Sequence, residues 1–174
     1  MFKFPKFLRS IKGSVGERLK YGVESLNAYF YAVTMAASTD LYPLSSYFVT
    51  FDSSGNAALT IATDTFCSGH LIGVGAGNPT AGTAYYRTST TAGGESLPCT
   101  SDPSAVLRVP VSSGTYARAN RGKLCDVAVS AGVQGAAVQT STRGHLRLLD
   151  GDETNNAWVV VQFNAAKLSG GNAS

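Results

Sequence analysis

Cys67-x-x-His70 is the place in this chain where two residues capable of metal or thiol chemistry stand at short spacing. A tetrahedral zinc site takes four ligands, usually as two such pairs. The remaining candidates, Cys99, Cys125 and His145, are scattered, so the second pair is missing. Cys67 and His70 could also form a nucleophilic pair, but that chemistry needs an orienting third group and an oxyanion site, and no neighbouring residue marks either. Gly73-Val74-Gly75-Ala76-Gly77 looks like a phosphate loop, yet Asn78-Pro79-Thr80 follows it where a helix N-terminus is required. Asp150-x-Asp152-x-Thr154 begins like a calcium loop, but Asn155 stands at the glycine position and Val161 at the glutamate position. It reads as a polar turn whose side chains bond nearby amides. The sequence predicts no metal, no cofactor and no enzyme activity.

The strongest functional signal is the N-terminus. Residues 1–20 hold Lys3, Lys6, Arg9, Lys12, Arg18 and Lys20 against Glu17 alone, while the whole chain is only +3. A basic segment therefore precedes a slightly acidic body, and asymmetry of this kind marks an arm that binds something. Phe7, Ile11, Val15, Leu19, Val23 and Leu26 form one helical stripe over residues 6–30, with most of the cations off it. Gly13, Gly16 and Gly22 weaken that helix by about 1 kcal/mol each, so it is expected to be broken or formed on docking. Met1–Phe7 alternates Phe with Lys and reads as extended.

Three partners could use such an arm. A nucleic-acid backbone would want more Arg and a longer basic face. An anionic membrane surface would use the amphipathic stripe. A protein would use both features, apolar anchors in pockets and cations at the rim. Phe2, Phe4, Phe7, Leu8 and Ile11 would each contribute about 1.5–3 kcal/mol if buried, against about 1–2 kcal/mol per ordered residue. The arm folding onto its own body is the simplest competing reading. The protein-docking reading takes Phe2, Lys3, Phe4, Lys6, Phe7, Leu8, Arg9, Ile11 and Lys12 as partner-binding residues, with no direct nucleic-acid contact and no membrane role. The apolar run Leu26–Ala37 is too short to span a bilayer. It contains Asn27 and follows too long a basic region for a signal peptide.

The rest of the chain must position that arm, and it reads as β structure. Of 174 residues only 14% are charged, below the usual quarter, and the 19 Ser and 16 Thr take the place of charges. Abundant Val and 10% aromatics can build a core, which excludes disorder. Ser46–Phe51 and Ala57–Thr63 flank Asp52-Ser53-Ser54-Gly55-Asn56 as a hairpin. His70–Val74 is a candidate buried strand, and Thr83–Thr88 is the one expected within the loop-rich Gly75–Ser104. Ala105–Ser112 follows, with Pro110 pointing to an edge or a bulge. Lys123–Ser130 should turn Cys125, Val127 and Val129 inward. Ala136–Thr142, His145–Leu149 and Trp158–Asn164 complete the set. Short strands between turn clusters indicate a mainly β fold, a sandwich or barrel-like domain with an extended or helical N-terminal arm. The division expected is arm 1–40, β-rich domain 41–166 and polar tail 167–174. No internal repeat is visible. Cys67, Cys99 and Cys125, odd in number and widely spaced, read as buried free thiols rather than a disulfide framework, with one bridge as the alternative.

Within Leu107–Phe163, four motifs carry a resemblance: Val109-Pro110-Val111-x-x-Gly114-Thr115-Tyr116, Gly122-Lys123-x-Cys125-Asp126-Val127, Val133-Gln134-Gly135, and Gly151-Asp152-x-x-Asn155 before the last apolar strand. This third of the chain resembles the capsid decoration, or cement, proteins of tailed bacteriophages. The resemblance implies a β-rich module on the outside of the virion capsid, often a homotrimer, clamping adjacent major capsid protein subunits. The alternative is a phage fibre or receptor-binding module whose Tyr85-Tyr86 loop holds surface glycans.

Overall fold

The computed structural model describes residues 22–23, 29–42, 45–72 and 86–168. The described residues are mainly β. The strands are β1 (Gly22–Val23), β2 (Tyr31–Thr34), β3 (Asp40–Leu41), β4 (Phe48–Phe51), β5 (Ala57–Leu59), β6 (Gly69–Leu71), β7 (Tyr86–Arg87), β8 (Ser96–Thr100), β9 (Leu107–Ser113), β10 (Leu124–Ser130), β11 (Val133–Ala137), β12 (Leu146–Gly151) and β13 (Trp158–Phe163). The hairpin expected around Asp52–Asn56 forms as β4 and β5.

Two rings of five strands result. In the C-terminal ring, β9, β11, β10, β12 and β13 pair in that order, and β13 returns to β9. In the N-terminal ring, β2, β8, β6, β4 and β5 pair in order, and a parallel bridge from Met35 to Ala57 brings β5 back beside the end of β2. We call them the N-barrel and the C-barrel.

The two barrels follow one plan. In each, the first strand pairs with the fifth, the fifth with the fourth, the fourth with the second and the second with the third, all antiparallel. The third then meets the first in parallel. The registers also coincide. Tyr31 opposite Cys99 falls on Leu107 opposite Val161, and Leu71 opposite Cys99 on Leu148 opposite Val161. Val49 opposite Gly69 falls on Cys125 opposite Leu146, and Phe51 opposite Ala57 on Val127 opposite Ala136. Met35 beside Ala57 falls on Val111 beside Ala136. Even the left-handed turn after the first strand recurs, at Ser38 (φ 52°) and Gly114 (φ 77°). The fold is a tandem repeat, which corrects the expectation of none. Its core positions exchange one apolar type for another, Met35 for Val111, Val49 for Cys125, Cys99 for Val161, so composition is kept and identity is lost.

The barrels differ in their connections. Fourth and fifth strands are joined by Gly151–Trp158 in the C-barrel, but by the long run from Leu71 to Ser96 in the N-barrel. That run contains β7, which pairs with β3 and is locked by a two-pronged Arg87–Asp40 ion pair at 2.5 and 2.9 Å. Ser96–Thr100, read from the sequence as loop, is a strand: its cysteine and threonine are buried between β2 and β6.

Each barrel has its own core. Val33, Met35, Leu41, Val49, Ala57, Leu71 and Cys99 fill the first. The second gathers Leu107, Val109, Cys125, Val127, Leu146, Leu148, Val159 and Val161. Cys125 and Val127 point inward as expected, but Val129 is 44% exposed. It lies where β10 and β11 run past the barrel to a tight turn at Ala131 and Gly132, both left-handed. That turn starts the third strand at Val133, earlier than the expected Ala136. The helical stripe expected over 6–30 is interrupted, since Gly22–Val23 is extended and pairs with β9. Tyr31–Thr34, counted with the arm on charge, lies within the N-barrel. Lys167, counted with the tail, accepts the Cys67 N–H at 2.9 Å.

Pro110 sits within a closed ring, beside the register shift between β9 and β11. The seam is tight there: a Cβ on Gly135 would lie 2.4 Å from the Pro110 carbonyl oxygen. The backbone would have to open, so Gly135→Ala is expected to cost about 2 kcal/mol by overpacking. Denaturant unfolding checks this; a midpoint equal to that of the native chain would contradict the seam.

Candidate functional site

The residues singled out for thiol chemistry lie between the two barrels, and burial disarms them. Cys67 is fully buried and its Sγ rests 3.7 Å from the Gly69 carbonyl. Desolvation pushes its thiol up to about 12, so no thiolate nucleophile forms at neutral pH. His70 is buried on β6, edge-on to Phe48 at 4.8 Å. Its Nε2 accepts the Tyr47 N–H at 3.1 Å, and desolvation pulls its pKa to about 3. The ring is neutral and held for packing. Burial likewise raises Cys99 to about 11 and Cys125 to about 12. All three cysteines are free. Among the described residues no three His, Cys, Asp or Glu side chains gather as metal ligands.

The second histidine is also structural. His145 Nδ1 accepts the Val127 N–H at 3.1 Å, which places its proton on Nε2, 2.8 Å from the Asp64 carbonyl. One imidazole thus bridges the C-barrel to the N-barrel loop after β5. Asp150–Asn156 is a polar turn, as its composition predicts. Asp152 Oδ1 accepts the Thr154 and Asn155 N–H groups at 3.0 Å each, and Asp150 pairs with Arg121 at 2.6 Å.

Gln134 carries a polar network between the barrels, and its residue type gives no sign of that in the sequence. It is fully buried on β11. Its side chain clasps the backbone of Phe48, accepting that N–H and returning an Nε2 donor to the Phe48 carbonyl at 2.9 Å. Nε2 also donates to the Thr60 carbonyl at 2.8 Å. Its own backbone is held by Ser45 and Ser46: the amide donates to Ser45 Oγ at 2.7 Å, and the carbonyl accepts from Ser46 N and Oγ at 2.9 Å. Phe48 then enters the C-barrel core, T-shaped on Phe163 at 5.9 Å. Two barrels tied this way form one platform. The only sequence signal was the Val133-Gln134-Gly135 motif.

The predicted partner-binding residues Phe2, Lys3, Phe4, Lys6, Phe7, Leu8, Arg9, Ile11 and Lys12 lie outside the described residues. Their root is described. Gly22 pairs with Arg108 and Val23 with Leu107, so the segment joins the body as an extra strand on the outer edge of β9. On the next face Arg108 lies 4.2 Å over the Trp158 ring, an exchange of charge for π density that steadies this edge. No helix among the described residues is long and apolar enough to cross a membrane. The sequence matches no family model and no curated protein, and the fold matches no solved structure.

Proposed function

We propose that the chain is a non-catalytic virion protein that binds the outer surface of a phage capsid and stabilises contacts between major capsid protein subunits. The observation that carries this reading is the arm's attachment: a basic, Phe-rich segment enters a two-barrel platform through a strand bonded to β9. Two further features support it. The chemically capable side chains Cys67 and His70 are buried and uncharged. The body is charge-poor and hydroxyl-rich, as suits a surface packed against neighbouring protein. In this reading Phe2, Phe4, Phe7, Leu8 and Ile11 are anchors, and Lys3, Lys6, Arg9 and Lys12 line the rim, with the arm shared between the capsid surface and the neighbouring copy beside it. Copies assemble as homotrimers. They bind joined capsid subunits better than separated ones, and that difference stabilises the shell by mass action.

Deleting residues 1–20 tests it. The truncated chain is expected to keep its circular-dichroism spectrum and melting transition while losing at least tenfold in co-sedimentation with expanded heads. Undiminished decoration would overturn the arm's role. Binding of the isolated protein to a glycan array, with none to heads, would move the assignment to the fibre reading.

A further inference from the structure

The repeat exposes an inequality between the barrels. In the C-barrel, the outer edge of the first strand is covered: Arg108 on β9 pairs with Gly22 of β1. The equivalent position in the N-barrel is Ala32 on β2. Pro98, opposite Ala32, sends its carbonyl to the Ile72 N–H on the far side. Ala32 therefore belongs to a non-hydrogen-bonded pair, and its own N–H and C=O face away from β8. Thr34 faces the same way, and the next residue in that alternation, Ala36, donates outward to Ala57. Ala32 and Thr34 are exposed, and among the described residues no strand covers this stretch. The devices that protect an edge, a charged side chain, a proline or a bulge, are all missing from Tyr31–Thr34.

We propose that this edge of β2 receives, as an added strand, the N-terminal Phe2–Phe4 stretch of a second copy of the chain. The C-barrel shows that the first-strand edge of this barrel type accepts a strand from outside the barrel, and that this chain's N-terminal side supplies one. The 21 residues ahead of β1 reach up to about 70 Å when extended. Phe2-Lys3-Phe4 alternates apolar and basic at the strand period, which suits addition to a half-exposed edge. The surroundings match that chemistry. Tyr29, 70% exposed, stacks on Tyr31 at 6.1 Å. The Asp102 carboxylate, which accepts the Tyr29 N–H at 3.3 Å, adds a negative charge beside the two rings. Choosing a second copy over the same chain rests on the decoration reading, which sets copies side by side on one surface.

Cross-linking of full-length chains tests it. A tagged Lys3→Cys chain is mixed with an untagged Ala32→Cys chain and oxidised; the three native cysteines are buried and do not compete. The expected product is a tag-shifted heterodimer, reversed by reductant. It should fall at least fivefold when the acceptor also carries Thr34→Pro, which removes an outward N–H and leaves the ladder to β8 intact. Cross-linking only within single molecules of the double variant Lys3→Cys/Ala32→Cys would overturn the proposal in favour of the chain's own arm. No cross-link in either format would overturn it outright. No heads are present, so failure here is distinct from failure of capsid binding.

Discussion

Replacing Gln134 with leucine is expected to lower stability by about 3–5 kcal/mol, although the side chains are similar in volume. The leucine cannot bond to the Phe48 N–H or the Thr60 carbonyl, which the Gln134 amide now satisfies, and the Phe48 carbonyl keeps only the Thr60 N–H of its two donors. Each buried group left without a partner costs about 1–3 kcal/mol. The loss is concentrated where the barrels join, so no local relaxation within one barrel restores the bonds. For a chain of this length each kcal/mol shifts the melting temperature by about 2–4 °C, and a fall of about 10 °C is expected by calorimetry. Gln134→Glu should be worse. Its carboxylate can accept the Phe48 N–H but has no donor for the two carbonyls, and a buried charge adds its own penalty. A shift under about 3 °C for Gln134→Leu would show that the barrels are held by apolar packing alone.

The strands of the C-barrel were legible because their apolar residues recur at the strand period, Leu146 with Leu148 and Cys125 with Val127, although the polar residues beside them, His145 and Asp126, are buried too as hydrogen-bonded groups. A half-buried strand writes its period directly into the sequence. Ser96–Thr100 was not legible, since Pro98 and flanking Gly and Ser read as turn chemistry. Pro98 is tolerated because β2 asks nothing of its backbone, and on the other side it lies opposite Ile72, just past the end of β6, where its carbonyl accepts the Ile72 N–H. The tandem repeat was hidden for a related reason. Barrel interiors specify volume and polarity, not identity, and only scattered matches such as Val33 with Val109 and Leu71 with Leu148 survive. Pairing register, which depends on backbone position, kept the record that side chains lost. For the candidate site, the basic arm was legible as a charge run, but its strand-paired root at Gly22–Val23 was not. Two residues, one a glycine, carry no strand period of their own. Cys67-x-x-His70 was legible as a spacing and uninformative as chemistry, because burial decides what the pair can do.

Burial of His70 also sets a pH dependence that separates it from the four carboxylates whose pKa values are lowered, Asp40, Asp102, Asp150 and Asp152. Its folded pKa, about 3, lies far below the unfolded value near 6.5. Between these values the unfolded chain binds a proton that the folded chain refuses, so stability rises with pH across the window and falls as pH drops below about 6. The limiting slope for one proton is about 1.4 kcal/mol per pH unit. The physical cause is visible at the ring: protonated Nε2 would aim a donor at the Tyr47 N–H, which it now accepts at 3.1 Å, inside a site that offers an ion no solvent. Asp40, Asp102, Asp150 and Asp152 have pKa values lowered by hydrogen bonds, Arg87 and Arg121 being the leading partners of Asp40 and Asp150. A depressed carboxylate loses its contribution only as pH falls below the ordinary carboxylate range near 4. The interval from pH 6 to 4.5 therefore isolates His70 from these four. Urea unfolding across it should show the midpoint falling steadily for the native chain. His70→Gln, which retains an acceptor for the Tyr47 amide and takes up no proton, should start lower at pH 7 and stay nearly level down to pH 4.5. A variant that keeps the native slope would place the responsible proton elsewhere and remove His70 as the acid-sensitive point of the N-barrel.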